Sequence, residues 1–302
     1  MQTENETPGR APLDPAALRR AAIRPDGLWR AIEVVERTGS TNADLLARAQ
    51  RGEPEGTVLV TEHQQAGRGR MGRTWITPPR AALTFSVLVR PQAVPPARRG
   101  WLPLLVGVAV TEAITAVTEL DARLKWPNDV LADQGKIVGI LAEAAADAIV
   151  VGIGLNVSTE AAELPGRGPG ALPAASLLTA GAKPATLDRG RLLLAILDAF
   201  ERRYRAWHDA AGDPDRSGLR AEYASRSGTI GRQVRAELPG GQALSGFAVG
   251  VDADGRLLVR PSAGASAAGP SAAGVSAAGP LSAGPFSAST VPVAAADVVH
   301  LR

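Results

Sequence analysis

The sequence predicts a large domain of interleaved strands and helices followed by a small antiparallel β domain. Three observations predict it. A chain of 302 residues has room for one large core and one small one. Up to about residue 226, β-rich runs are mixed with segments whose apolar residues recur at helical spacing. From Thr229 the pattern changes to short strands joined by Pro239-Gly240-Gly241 and Asp252-Ala253-Asp254-Gly255, both good hairpin chemistry.

Residues 1–27 are expected to be a flexible N-terminal segment, polar and Pro-bearing to about residue 11. A short helix follows within it, with Asp14 as N-cap and Pro15 at the first helical position. The large domain spans 28–226. Ala31 to Val35 reads as a strand. The next stretch, Gly39 to Gln50, reads as a helix carrying Leu45, Leu46 and Ala49, with Thr41 and Asp44 spaced like a capping box. Thr57 to Thr61 is a β-rich run leading to His63, Gln64 and Gln65, and Leu83 to Val89 alternates as another strand.

Prolines at 91–96 precede an apolar helix over about Trp101 to Val117. Strands follow at Ala122 to Trp126, Lys136 to Glu143 and Ala148 to Asn156, then a Gly- and Pro-rich loop over 158–184. Asp188 to His208 forms a helix with Leu192, Leu193, Ile196, Leu197 and Phe200 along one face, and a short helix covers Asp215 to Ala224. The small domain spans 227–302, with strands at Gln233 to Leu238, Ala243 to Val251, Leu257 to Arg260 and Val298 to Leu301. It carries an insertion over 262–289, where SAAG recurs at 266, 271 and 276. Such small residues cannot bury enough apolar surface to order themselves, so the insertion is read as a disordered surface loop.

Composition excludes several classes. Without cysteine there are no disulfides, thiolate zinc sites or thiol nucleophiles. The three histidines, His63, His208 and His300, are too scattered to suggest a metal cluster. A net charge of +3 gives no bulk attraction to nucleic acid. Positive charge is nearly all arginine; the lysines are Lys125, Lys136 and Lys183. No stretch reads as long enough to span a bilayer, the most apolar segment being Trp101 to Val110, and no secretion signal opens the chain; a cytoplasmic protein is expected.

Residues 67–73 read GRGRMGR: Arg68, Arg70 and Arg73 on a backbone loosened by Gly67, Gly69 and Gly72. Packing does not explain the string, and guanidinium forks suit phosphate and carboxylate oxygens, so it reads either as a loop that closes on an anion or, taken alone, as an exposed Arg-rich loop with no ligand. Ser40-Thr41-Asn42, at a strand-to-helix junction, can hold a polar ligand head, although capping accounts for Thr41 equally well. Lys125-Trp126-Pro127-Asn128-Asp129 makes a tight turn, and turn chemistry alone would place Asn128 and Asp129 there. Lys136 starts the apolar strand GKIVGIL, where a half-buried ammonium is costly unless it meets an anion or snorkels to water. In GIGLNV, Gly152 and Gly154 let something approach a strand closely, or let strands pack closely, before Asn156. The glycine spacing does not fit a dinucleotide fingerprint, and no P-loop sequence is present.

GSTN, QQAGRGRMGRTW, KWPNDV, GKIVGIL and GIGLNV, in this order, resemble the biotin protein ligases, with the likeness covering about residues 30–302. The resemblance implies an α+β catalytic domain, a mixed β-sheet backed by helices and related to class II aminoacyl-tRNA synthetases, followed by a small SH3-like β-barrel. It implies formation of biotinyl-5′-AMP from biotin and MgATP, then transfer of biotin to a lysine of a biotin carboxyl carrier domain. By the same resemblance Ser40, Thr41, Asn42 and Gln64 bind biotin, the first two and Gln64 through its ureido ring. Gly67, Arg68 and Arg70 belong to a closing loop, with Arg68 near the biotin carboxylate and phosphate, and Arg73 steadies that loop. Lys136 lies between the biotin carboxylate and the α-phosphate, while Gly139, Leu141 and Gly154 line the biotin tail.

ATP is assigned Arg70, Arg73, Trp75, Asn128, Asn156 and Arg232, with Asn156 facing Mg²⁺ through the phosphates. Lys136, Arg68 and Asp129 are the implied catalytic residues, Asp129 orienting or deprotonating the acceptor amine. Fewer than thirty residues precede the first strand, leaving no room for the winged helix-turn-helix that some members carry, so no DNA binding is expected. A carrier domain of acetyl- or propionyl-CoA carboxylase is the expected partner, and a monomer or weak homodimer the expected state. Lipoate or octanoate ligases of the same fold are the nearest rival. A nucleic-acid module built on the arginine loop and a non-catalytic binder are more distant ones.

Overall fold

The computed structural model describes residues 10–133, 135–166, 172–238, 242–262, 290–294 and 296–301. The expected Pro239-Gly240-Gly241 turn and, but for Ser262, the small-residue insertion lie outside them.

Two sheets organise the chain. The larger has seven strands in the order β1-β2-β5-β9-β8-β7-β6. Its strands are β1 (Ala31–Thr38), β2 (Thr57–Gln64), β5 (Ala82–Val89), β6 (Arg123–Lys125), β7 (Asp129–Ala132), β8 (Gly135–Ala145) and β9 (Ala148–Asn156). A hairpin of β3 (Gly67–Arg68) and β4 (Thr74–Trp75) stands apart from it. Only β1 and β2 pair in parallel, and helix α2 (Thr41–Gln50) makes the crossover between them. Every other neighbouring pair is antiparallel, so the sheet is mixed as expected.

Alternation divides the sheet's faces. Val58, Val60, Phe85, Val87, Val151, Ile153 and Leu155 point to the main core beneath α3 (Leu102–Thr118) and α4 (Arg189–Asp209). Leu59, Leu88 and Val150 point the other way and pack against Leu45 and Ala49 of α2. The helix α2 covers only part of that second face. The rest is open.

The expected absence of any stretch long enough for a membrane needs correction. Pro96–Thr118 runs on as one helical segment of 23 residues, a one-turn prelude plus α3, apolar and long enough to cross by composition alone. Most of it is buried, because α3 lies between the sheet and α4 and so is apolar on all sides.

The N-terminal segment is not a loose arm where it is described. Arg10 pairs with Glu163 at 2.6 Å, and Leu13 N donates to Glu62 Oε1 at 2.6 Å. Glu62 also forms a buried ion pair with Arg189 at 2.6 Å, and Arg189 donates to the Ala11 carbonyl. Helix α1 (Pro15–Ala22) starts at Asp14 as expected and buries Leu18 and Ala22. The capping box on α2 is corrected as well. Ser40 is the N-cap, accepting from Ala43 N, while Asp44 accepts from the Thr38 hydroxyl. Thr41 is thereby released for another use. Helix α5 (Leu219–Arg226) starts four residues later than its pattern suggests, because residues 213–218 form turns closed on Asp213.

The second sheet has the order β13-β12-β11-β10-β14, from β10 (Gln233–Glu237), β11 (Ala243–Val251), β12 (Leu257–Pro261), β13 (Val291–Val293) and β14 (Asp297–His300). All its pairings are antiparallel. Its Asp252–Gly255 turn is clamped by two indoles: Trp101 Nε1 donates to the Asp252 and Ala253 carbonyls and Trp126 Nε1 to Gly255 O, each at 3.1 Å. Trp126, from the KWPND string, is therefore an anchor between the two sheets.

A second clasp joins Trp126 to β14. Trp126 N donates to Thr229 Oγ1, whose hydroxyl lies 3.0 Å from His300 Nε2. Burial first, then the charges of Lys125 and Arg232, lower the His300 pKa to about 4. The neutral ring is thus favoured in the folded state, whereas an unfolded histidine takes up its proton near 6.5. This contribution to stability is complete above the unfolded value and is lost as pH falls towards about 4. Because the ring is partly exposed, about 1 kcal/mol is expected rather than the full shift. Melting temperature between pH 6.5 and 4 should therefore fall less steeply in His300→Gln than in the parent. Parallel slopes would contradict the assignment.

Candidate active site

The open part of the sheet forms the floor of a cavity of ≈ 990 Å³. Every residue singled out for binding or catalysis lines it except Gly67, which is packed behind Gln64 and the Trp75 carbonyl. One row of paired residues, Thr84–Gly154–Gly139–Asp129–Lys125, crosses five strands of this floor. The row beside it is Ser86–Gly152–Leu141. Period-2 alternation puts all these positions on one face.

The two glycines of GIGLN are filled by the protein's own side chains. An added Cβ at Gly154 would lie 2.5 Å from the Trp75 indole, and one at Gly152 would lie 2.3 Å from Asn42 Oδ1. Gly139 also meets the indole, at 3.1 Å. Trp75 therefore rests flat on the floor, with its Nε1 buried and without a hydrogen-bond partner.

The arginine string forms a hairpin. Gly67 pairs with Trp75 and Arg68 with Thr74, and Gly69 N donates to Arg73 O at 2.6 Å. Arg73 N donates to Arg70 O across Met71 (φ 55°) and Gly72 (φ 72°). Two successive left-handed residues make the type I′ pattern that matches strand twist. A methionine there is strained by about 1 kcal/mol, so the tip trades stability for its side chains. Arg68 is exposed at the cavity rim, and Arg70 Nη1 reaches Asn128 Oδ1 at 3.4 Å.

Lys136 reaches the cavity through a bulge. Alternation from Gly139 would send it to the core face. The register shifts between Val130 and Leu131, leaving Ile137 as the extra residue and pairing Lys136 with Leu131 on the Asp129 face. Its Nζ lies 2.6 Å from Asp129 Oδ1, and Lys125 Nζ lies 3.6 Å from Asp129 Oδ2. The Lys125 side chain is 7% exposed and that of Lys136 30%. Two ammonium groups on one carboxylate leave net positive charge at the middle of the floor. Asn128 is braced by donating to Ile140 O and accepting from Arg70.

Beyond the lysines, Asn156 Nδ2 donates to Ala175 O at 2.8 Å, while its Oδ1 is buried and without a protein partner. Arg232 and β14 complete that end of the cavity. At the opposite end Thr41 N donates to Gln64 Oε1 at 3.0 Å.

The sequence matches the biotin/lipoate A/B protein ligase family over residues 34–159 and the biotin protein ligase C-terminal domain over 229–301. It is 43% identical over 297 residues to the biotin–[acetyl-CoA-carboxylase] ligase of Mycobacterium tuberculosis, covering 97% of each chain. The chain belongs to the biotin protein ligase family. The bifunctional ligase/repressor BirA of Bacillus subtilis is 32% identical, with 77% of this chain and 69% of that one covered. Among solved structures, the Aquifex aeolicus biotin protein ligase in complex with biotin and ATP shares the fold. Its TM-score is 0.67 at 24% identity, over 90% of this chain and 100% of that one. A mutant of that ligase, in complex with biotin, gives 0.63 at 27% identity over 78% and 93%.

Several residues in and behind this ligase's cavity escaped the sequence reading. Ser86, fully buried, lies between Thr41 and Asn42 behind the floor. A signal existed: Thr84 and Ser86 are the polar members of an alternating strand, so one face of β5 was bound to be polar. Glu143, which accepts from Asn42 Nδ2 at 2.7 Å, gave no signal because it ends the apolar run. Lys125 was noticed only as part of its string. Among the described residues no cluster of three His, Asp or Glu side chains forms.

Proposed function

We propose that this ligase joins biotin to ATP as biotinyl-5′-AMP and passes the biotinyl group to a lysine of a biotin carboxyl carrier domain. The observation that carries this reading is the Lys136–Asp129–Lys125 cluster, set between a polar end at Thr41 and Gln64 and an arginine-flanked end at Arg232. A carboxylate and a triphosphate repel one another, and a site that joins them has to cancel that repulsion and align them. Lys136 meets both at the midpoint of the floor. Arg68, at the rim, is placed to bind the same anions from above.

The biotin carboxylate oxygen attacks the α-phosphorus, and the bond to the β-phosphate bridging oxygen breaks to release pyrophosphate. Biotin's head lies at Ser40, Thr41 and Gln64, and its tail passes Leu141, Gly139 and Gly154 beside Trp75. Arg70, Arg73, Asn128 and Arg232 hold the nucleotide. Asn156 Oδ1 suits Mg²⁺, which takes oxygen ligands and keeps substrate phosphates as partners; when bound it offsets phosphate charge. In the second step an acceptor amine attacks the acyl carbon, loses a proton and expels AMP. Asp129 is held by Lys136 until the substrates' anions draw that ammonium away, and its carboxylate then faces the amine. The hairpin over the cavity shields the mixed anhydride from water.

The carrier subunit of a carboxylase is the acceptor of this kind of ligase. We take it to work in the cytoplasm as a monomer or weak homodimer without DNA affinity, the low net charge supporting only the last of these. Incubation with biotin, MgATP and a carrier domain should add one biotinyl group to the carrier by mass and release pyrophosphate. Lipoate should give no adenylate. If lipoate reacts and biotin does not, the reading is wrong.

A further inference from the structure

A buried polar relay behind the head-group end of the cavity fixes which atoms there donate and which accept. Asn42 lies over Gly152 with its amide spanning two strands. Its Nδ2 donates to Leu141 O at 3.1 Å and to Glu143 Oε2 at 2.7 Å. A backbone carbonyl can only accept, so the amide has one orientation and Oδ1 points to β5. Ser86 Oγ lies 2.6 Å from that Oδ1 and 2.7 Å from Thr41 Oγ1. A serine hydroxyl has a single proton, and Asn42 Oδ1 has none to give. The Ser86 proton therefore goes to Asn42, and of the two acceptors within reach of Thr41 Oγ1, Ser86 Oγ at 2.7 Å and Gln64 Oε1 at 3.3 Å, the nearer takes the Thr41 proton.

The consequence reaches the ligand. With its proton committed to Ser86, Thr41 Oγ1 offers the cavity only lone pairs. Gln64 is fixed the same way: its Oε1 accepts from Thr41 N at 3.0 Å, so its Nε2 is left as donor. Thr41 and Asn42 are 2% and 5% exposed and Ser86 is fully buried, so water cannot scramble the pattern.

We infer that Ser86 and Asn42, with Glu143 behind them, are positioning residues that make Thr41 an obligate acceptor, selecting a ligand with an N–H at that point and a carbonyl towards Gln64. A cyclic urea presents that edge. The inference deepens the proposed biotin reading and rests on it. Its content is a specificity device set by a relay behind Thr41.

The test uses the whole enzyme and pyrophosphate release, with biotin and its two mono-N-methyl ureido analogues as substrates. Ser86→Ala removes the nearer acceptor of the Thr41 proton, which is then held only by the longer 3.3 Å contact with Gln64 Oε1 and is free to turn into the cavity. The KM for biotin should rise about tenfold or more, while kcat at saturating biotin and the KM for ATP stay within about twofold. The parent should reject one N-methyl isomer strongly, and in Ser86→Ala that preference for biotin should shrink about tenfold. Ser86→Cys keeps a weak donor and should fall between the two, which gives a readout if the alanine variant folds poorly. An unchanged preference in a folded, active Ser86→Ala or Ser86→Cys overturns the relay while leaving the ligase reading intact. No adenylate from biotin with the parent enzyme would overturn that reading, and the relay with it.

Discussion

Lys136→Ala is expected to lower pyrophosphate release with biotin and MgATP about a thousandfold, the scale seen when one preorganised charge-stabilising group is removed. The fold should survive. The lysine side chain is 30% exposed, and Asp129 keeps Lys125 at 3.6 Å, so no carboxylate is left uncompensated. Melting temperature should therefore stay close to the parent's while turnover collapses. The loss belongs in kcat more than in the KM for either substrate, because Lys136 meets both reactants and matters most where their charges come together. Turnover near the parent's would remove the central element of the mechanism.

The strand that carries Lys136 shows where the sequence spoke and where it was silent. GKIVGIL read as an apolar strand with one lysine, and it is one. Nothing in the string tells that Ile137 is an extra residue or that Lys136 thereby turns to the Asp129 face. Bulges depend on the partner strand, and the partner, β7, was itself read only as a turn. Helix α4 was legible nearly to the residue because its apolar stripe is long and periodic. The arginine string marked the cavity's lid plainly. Its hairpin geometry stayed hidden because Met71 is an unlikely occupant of a left-handed turn position. The KWPND tryptophan gave no sign of its use, since a clamp on the Asp252–Gly255 turn joins residues more than a hundred positions apart. Local chemistry singled out the arginine string, Lys136 and the strand glycines, and the family resemblance supplied the other assigned residues. Long-range pairing decided which of them meet.

Gly154→Val should raise the KM for biotin about a hundredfold or more without unfolding the protein, since one misplaced group in a close-packed site costs on that order. Valine is a good strand residue, and β9 is buried on its other face, so the backbone should accept it. The space above is the difficulty. Even a bare Cβ would stand 2.5 Å from Cε2 of Trp75, and a branched side chain pushes the indole off the floor. Displacing it raises the surface proposed for the biotin tail and also shifts the ring from its place 5.8 Å from the Lys136 ammonium. Two readouts separate these effects. Acrylamide quenching of tryptophan emission should increase as Trp75, now half-buried, becomes exposed. The KM for biotin should rise much more than the KM for ATP, because the proposed binding mode puts the glycine row under the tail and not under the phosphates. If quenching rises and the KM for biotin does not, the tail runs elsewhere and the glycines serve only to seat the tryptophan.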